Sequence, residues 1–225
     1  MQSAWFTLRN KILLTSDVFL LEFETTESLD FIAGQFITFL LPKTWFRRAY
    51  SVLQKQEKNW KFIVKRLENG RWGSKELCDL PVWTELSWIW PVWHFVISPE
   101  KNNKLFIATG TWIVPIYAIL EKIFWENISE NIGLIYGNTT QENFYYKDEL
   151  EKFWEKIKNF EKIFCLSREN RIWYAQWRVT WFLDEKIIKK YDEFYICWNP
   201  EMVDDVRNIL ENFWIEKNKI FFEKY

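Results

Sequence analysis

Residues 108–115 read Ala-Thr-Gly-Thr-Trp-Ile-Val-Pro. A compact apolar run, residues 105–108, enters this stretch, and a helical apolar pattern, residues 115–124, leaves it. A strand that passes directly into a helix presents backbone N–H groups to an anion, and the diphosphate of a dinucleotide suits that place. The fit requires bare backbone, whereas an indole at position 112 fills the space. The same misfit recurs. The chain holds 16 Trp and only 6 Gly, far below the roughly 7% Gly of an average protein. Asn59-Trp60 stands between two apolar-rich runs, where a hairpin carries Asn-Gly. Trp125 and Trp214 each follow a helical run, at the left-handed cap position that glycine fills. Trp90-Pro91-Val92-Trp93 and Cys197-Trp198-Asn199 mark two further tight places. Turn chemistry thus predicts glycine at many or all of these positions. A cell that reads UGA as glycine, translated on paper with another code, would produce this pattern. The competing reading is a Trp-rich protein that packs aromatics at its bends.

Composition narrows the function classes. The chain has 225 residues, room for one large domain or two of about 100 residues. With 30 basic and 31 acidic residues, a net charge of -1 gives no pull toward nucleic acid or an anionic membrane. Arg47-Arg48 is too short a cluster to track phosphates. Cys78, Cys165 and Cys197 show no C-x-x-C spacing, which supports neither a zinc site nor a cysteine-ligated cluster. The odd count, with no signal peptide, predicts a reducing cytoplasm. The uncharged stretch 105–120 is too short to span a membrane and is interrupted by Thr-Gly-Thr and Pro115. His94, the single histidine, cannot build a metal site alone.

Two rhythms divide the chain. Residues 18–24, 35–41, 49–54, 61–67 and 94–97 read as strands separated by turns, an antiparallel barrel or sandwich. One short helix is expected at 74–80, with Ser74 as its N-cap. Pro99-Glu100-Lys101-Asn102-Asn103 is polar and marks a boundary. Beyond it, apolar strands at 105–108, 132–136, 162–166 and 194–197 alternate with helical patterns at 115–124, 144–158, 182–190 and 200–213. Such alternation specifies a parallel sheet covered on both faces. The expected division is 1–99 and 100–225.

The motifs sharpen this outline. Arg48-Ala49-Tyr50-Ser51 resembles the R-x-Y-S flavin motif of the ferredoxin–NADP reductase family. Gly34-Gln35-Phe36 is similar to its G-Q-F strand entry, and residues 74–80 to its pyrophosphate-binding helix start. Trp90-Pro91-Val92-Trp93 resembles G-P-x-G, and residues 109–115 resemble G-T-G-I-A-P. Tyr146–Leu150, Ser167-Arg168-Glu169, Cys197–Met202 and Glu223-Lys224-Tyr225 complete the series in order. The resemblance covers nearly the whole chain. It depends on glycine at 90, 93, 112 and 198.

The resemblance implies an N-terminal Greek-key barrel that holds FAD and a Rossmann-like domain that binds NADP. Arg48 would offer its fork of donors to the FAD pyrophosphate. Tyr50 would lie against the isoalloxazine and Ser51 would face N5. Val64, through its backbone, and Lys65 match positions beside the flavin, although an exposed strand lysine reads equally well. Gly73 and Ser74 would give donors to the diphosphate. On the second domain, Thr109, Gly110, Thr111 and Trp112 form the nicotinamide cofactor's pyrophosphate loop. Ser167 and Arg168 would meet a ribose 2′-phosphate, with Tyr174 and Gln176 on the adenine side and Arg171 adding charge. This favours NADPH, although NAD is compatible with the same residues.

Cys197 would stand beside the nicotinamide, Glu223 would reach toward Ser51, and Tyr225 would cap the flavin. Catalysis is therefore assigned to Ser51, Cys197, Glu223 and Tyr225. The implied reaction is hydride transfer between NADPH and FAD, with single electrons passing to or from ferredoxin or flavodoxin. No cysteine-rich segment accompanies these motifs, so an iron–sulfur centre is expected on another chain. Two alternatives stay open. One is a reductase subunit of an oxygenase- or hydrogenase-type complex. The other, if the tryptophans are genuine, is a non-catalytic flavin-fold binding module.

Overall fold

The first strand, β1 (Phe6–Thr15), is absent from the pattern of turns and alternation, because Arg9-Asn10-Lys11 interrupts its apolar side. A register shift between Leu8 and Asn10 absorbs that polar run where β1 pairs with β2 (Val18–Thr25). The computed structural model describes residues 5–69, 72–89, 95–126, 129–198 and 200–224. Two compact units divide the chain, Met1–Val96 and Ile97–Tyr225.

In the first unit β3 (Phe36–Leu40), β4 (Arg47–Ser51), β5 (Gln54–Gln56) and β6 (Asn59–Lys65) follow β2. Then come one helix, α1 (Gly73–Asp79), and two short strands, β7 (Glu85–Leu86) and β8 (Trp88–Ile89). Two antiparallel sheets result, ordered β5-β6-β2-β1-β7 and β4-β3-β8. Pairing of β2 with β6, which skips β3 to β5, is the Greek-key step. Alternate residues point inward, as in β3, where Ile37 and Phe39 are buried between half-buried neighbours. The core is aromatic: Phe6 sets its edge on Phe39 and on Trp60, each at 5.4 Å, and Phe23 stacks on Phe39 at 5.0 Å. Edge-to-face pairs of this kind add about 0.5–1.5 kcal/mol beyond area burial.

The second unit alternates as expected. It contains β9 (Lys104–Thr109), α2 (Ile113–Glu126), β10 (Ile132–Asn138), α3 (Lys147–Lys156), β11 (Phe160–Leu166) and β12 (Ala175–Gln176). These are followed by α4 (Glu185–Ile188), β13 (Glu193–Trp198), α5 (Pro200–Asn212) and β14 (Ile220–Lys224). All six strands run parallel in the order β12-β11-β10-β9-β13-β14. Every residue of β9 and β10 is buried, as central parallel strands require. On α5 the buried residues Met202, Val203, Val206 and Leu210 fall on one helical face. The chain steps from β9 outward to β12, then returns so that β13 lies on the other side of β9. That reversal is a topological switch point, and ligands of open α/β sheets bind at the carboxyl ends of the strands there.

Several local expectations need correction. Residues 95–97 form no strand, and His94 lies outside the described residues, as do Trp90, Pro91, Val92 and Trp93. Ser74 is not the N-cap of α1: the helix starts at Gly73 behind Trp72, and Ser74 Oγ accepts the Leu67 N–H at 3.2 Å. Trp125 lies inside α2, not beyond its end. Trp60 is a buried strand residue, because the β5–β6 hairpin turns at Glu57-Lys58. The expected helix 182–190 is only the four residues of α4, preceded by a 3-10 turn at Val179–Phe182.

Candidate functional site

In the first unit the site is built where β4 meets α1. Gly73 is packed so closely beneath Arg48 that a Cβ would lie 2.6 Å from Arg48 Cγ and 2.8 Å from Cδ. A larger residue there would have to displace the Arg48 side chain, so the backbone at the helix start and the guanidinium share one small cradle. Arg48 Nη1 donates to the Arg47 carbonyl at 2.8 Å, and the guanidinium lies 4.8 Å from the Phe46 ring. Tyr50 packs against the aromatic core with part of its surface open. Burial, followed by the neighbouring Cys78, pushes its phenol far above the ordinary range, so Tyr50 stays neutral. Ser51 ends β4, paired with Phe36.

A residue that the motifs did not single out organises this corner. Glu76, buried on α1, accepts the Lys43 N–H at 2.7 Å, the Thr44 N–H at 3.2 Å and the Thr44 hydroxyl at 2.6 Å. The carboxylate fastens to α1 the loop that leads into β4, and hence holds the approach to Arg48. Its only sequence signal is its place within Ser74-Lys75-Glu76. At the other end of α1, Arg66 Nε and Nη2 grip the Asp79 carboxylate at 2.7 and 3.0 Å. That hydrogen bond holds the Asp79 carboxyl below its ordinary range. Val64 is buried on β6, and the neighbouring Lys65 is exposed and pairs with Asp17 at 3.1 Å.

The second unit gathers its residues at the carboxyl edge of the parallel sheet. Thr109 ends β9, and Gly110 to Trp112 form a 3-10 turn that runs into α2. Gly110 has φ +55°, and the Tyr136 hydroxyl donates to its carbonyl at 2.9 Å, which fixes the turn. Trp112 is half-buried in that turn. Cys197 on β13 is in register with Ala108 on β9 and with Glu223 on β14. The sheet therefore brings Thr109–Trp112, Cys197 and Glu223 to one place. Cys197 is fully buried, and burial, with Glu223 beside it, raises its thiol well above the usual value. It is a neutral, compact wall residue, not a thiolate.

Further along the same edge, Ser167 and Arg168 leave β11 exposed to solvent. The Ser167 N–H donates to the Asn138 carbonyl at 2.9 Å, and the Arg168 N–H donates to the Thr139 carbonyl at 3.1 Å. Arg171 lies 3.5 Å from Glu169. Tyr174 stacks on Phe144 at 5.0 Å, and Gln176 on β12 is exposed. Tyr225 and Asn199 lie outside the described residues. Among the described residues no cluster of His, Cys, Asp or Glu is suited to a metal ion. Among the described residues no helix is long and apolar enough to cross a membrane.

Comparison with known proteins agrees with this architecture. Residues 106–208 match the family described as oxidoreductase NAD-binding domain. The toluate 1,2-dioxygenase electron transfer component of Pseudomonas putida is 27% identical over 199 residues, covering 88% of this chain. The chain spans 59% of that relative's length. Ferredoxin–NADP reductase B of Sorangium cellulosum is 26% identical over 221 residues, covering 91% of this chain and 90% of that protein. Among solved structures, Amycolatopsis cytochrome P450 reductase superposes with a TM-score of 0.90 at 19% identity, covering 99% of this chain and 69% of that one. Antiparallel β unit followed by parallel α/β unit is the ferredoxin reductase-like fold.

Proposed function

We propose that the chain is a ferredoxin–NADP reductase-like flavoprotein that exchanges hydride between NADPH and FAD and single electrons with a protein carrier. The observation that carries this reading is the switch point of the parallel sheet, where Thr109–Trp112, Cys197 and Glu223 converge. The first unit supports it with a cradle of the right chemistry: the Arg48 side chain packed directly against Gly73, where a Cβ would displace it. FAD, when bound, supplies the redox chemistry, taking up a hydride and returning electrons one at a time.

The protein's own part is to bind, orient and keep out water. Arg48, Gly73 and Ser74 hold the FAD diphosphate, Tyr50 lies against the flavin ring, and Ser51, Val64 and Lys65 border it. Thr109, Gly110, Thr111 and the residue at 112 hold the nicotinamide cofactor's diphosphate ahead of α2. Ser167 and Arg168, with Tyr174 and Gln176, receive its adenosine end, and the exposed guanidinium favours the 2′-phosphate of NADPH over NADH. Cys197 walls the nicotinamide side without titrating. The proposed catalytic residues are Ser51 on the first unit and Cys197, Glu223 and Tyr225 on the second. The motif resemblance asks for glycine at 90, 93, 112 and 198, and glycine is taken there.

The partner is a ferredoxin- or flavodoxin-type carrier, or a fixed oxygenase complex. The relatedness to a dioxygenase electron transfer component specifically favours the second form. The three buried free thiols suit a reducing cytoplasm. The test is a chain with glycine at all 16 Trp positions, titrated with NADPH under anaerobic conditions. Bound FAD that bleaches on NADPH addition is the expected result. Absence of flavin binding, or flavin that NADPH leaves oxidised, overturns the proposal.

A further inference from the structure

Seven non-glycine residues have positive φ among the described residues, and five of them are tryptophan: Trp45 at 58°, Trp72 at 59°, Trp83 at 74°, Trp177 at 109° and Trp214 at 61°. Large L side chains avoid that region because Cβ collides with the backbone, whereas glycine enters it freely. Trp177 lies far outside even the small left-handed well near +57°.

The backbone at each place is set by main-chain hydrogen bonds. Trp214 follows α5, and its N–H donates to the Glu211 carbonyl at 3.0 Å while the Ile215 N–H donates to the Leu210 carbonyl at 3.1 Å. That pair of bonds is a complete Schellman motif with Trp214 at the C′ position, the glycine position. Trp72 precedes α1, and its carbonyl accepts the Glu76 N–H at 2.9 Å. The Trp45 N–H closes a loop onto Leu41 O at 3.0 Å, Trp83 N–H onto Leu8 O at 2.6 Å and Trp177 N–H onto Leu166 O at 3.0 Å.

Beyond the Arg9 guanidinium, 4.4 Å from the Trp83 ring, the side chains return little for this conformation. All five indoles are exposed, Trp214 at 92% and Trp45 at 73%. Trp177 stacks on the similarly exposed Trp181, at 5.0 Å. Even Trp60, buried in the aromatic core, keeps an indole N–H with no partner among the described residues. A docking surface of aromatics would need exposure alone. It would not need five rings that share a backbone conformation hostile to their own Cβ.

We infer that positions 45, 72, 83, 177 and 214 are glycine in the protein as its cell makes it, the printed tryptophans marking a codon that the cell decodes as glycine. The inference stands on backbone geometry and is independent of the proposed reaction. It is tested on the protein purified from its own cells, digested and sequenced by mass spectrometry across the five positions. Glycine at all five is expected, and tryptophan at any of them overturns the inference. A second readout is the Tm of a recombinant chain with glycine at these five positions against the printed chain. The glycine chain is expected to melt higher, and an equal or lower Tm overturns the inference. Neither readout involves flavin, so a failed flavin titration and a failed glycine assignment remain distinguishable.

Discussion

Glu76 shows how one side chain can hold the corner proposed to bind the flavin diphosphate. Its carboxylate takes three donors from Lys43 and Thr44, and an amide in its place would turn an N–H toward one of them. Hydrogen bonds to a charged group are worth about 1.5–3 kcal/mol. Glu76→Gln should therefore weaken FAD binding by roughly tenfold or more while far-UV circular dichroism stays unchanged. Equal flavin affinity in a fluorescence titration would show that the 43–48 loop holds itself. A second residue-scale prediction concerns Cys165, whose thiol is pushed up to about 12 by burial from an ordinary 9.0. The folded state keeps this proton after the unfolded chain has lost it. Its contribution is thus complete below pH 9 and is lost as pH rises toward 12, on the order of 4 kcal/mol at about 1.4 kcal/mol per unit. Cys165→Ala should flatten the alkaline limb of a urea-stability profile, and an unaltered limb would assign it to other groups. Arg48 and Gly73 were legible because a motif names them. Glu76 was not, since an acid on a short helix reads as a solvated face until its burial is seen.

At the scale of elements, the second unit was legible and the first only partly so. Parallel strands buried on both faces write themselves as unbroken apolar runs, and β9, β10, β11 and β13 fell close to their expected places. Half-buried antiparallel strands depend on alternation, which Arg9-Asn10-Lys11 breaks in β1. The helix expected at 182–190 is interrupted by Asp184, whose Oδ1 accepts the Ile187 N–H at 2.8 Å and starts a fresh helix as its cap. The amino end of the sheet hides another feature that no motif announces. Lys104 on β9 and Glu193 on β13 are both buried, 3.5 Å apart. The ammonium also donates to the carbonyls of Glu100 and Asn102, while Glu193 accepts from Asn102 at 3.0 Å and Tyr195 at 3.1 Å. Removing one partner of such a pair leaves a buried charge uncompensated. Glu193→Ala should cost about 3–5 kcal/mol in the second unit by that rule, read by chemical denaturation. A cost below about 1 kcal/mol, the range of exposed pairs, would show that water reaches Lys104.

For the whole molecule, the two units have separate cores, one around Phe6, Phe39 and Phe62, the other around Leu105, Ile107, Phe194 and Ile196. The diphosphate-holding residues proposed for FAD lie in the first unit and those proposed for NADP in the second, and binding stabilises only what it touches. A ligand at 100 times its Kd adds about 2.7 kcal/mol to the folded form that holds it. Amides that exchange through opening of that form should then slow by roughly a hundredfold. In hydrogen exchange read by mass spectrometry, FAD should protect peptides covering residues 43–52 and 72–80. Added NADP should protect 108–115, 166–176 and 196–198. The distribution discriminates between ligand sites more sharply than affinity does, because any hydrophobic cleft can bind a flavin weakly. Protection by FAD at 108–115 with none at 43–52 would move the flavin off the Arg48–Gly73 cradle and remove the division of labour between the units.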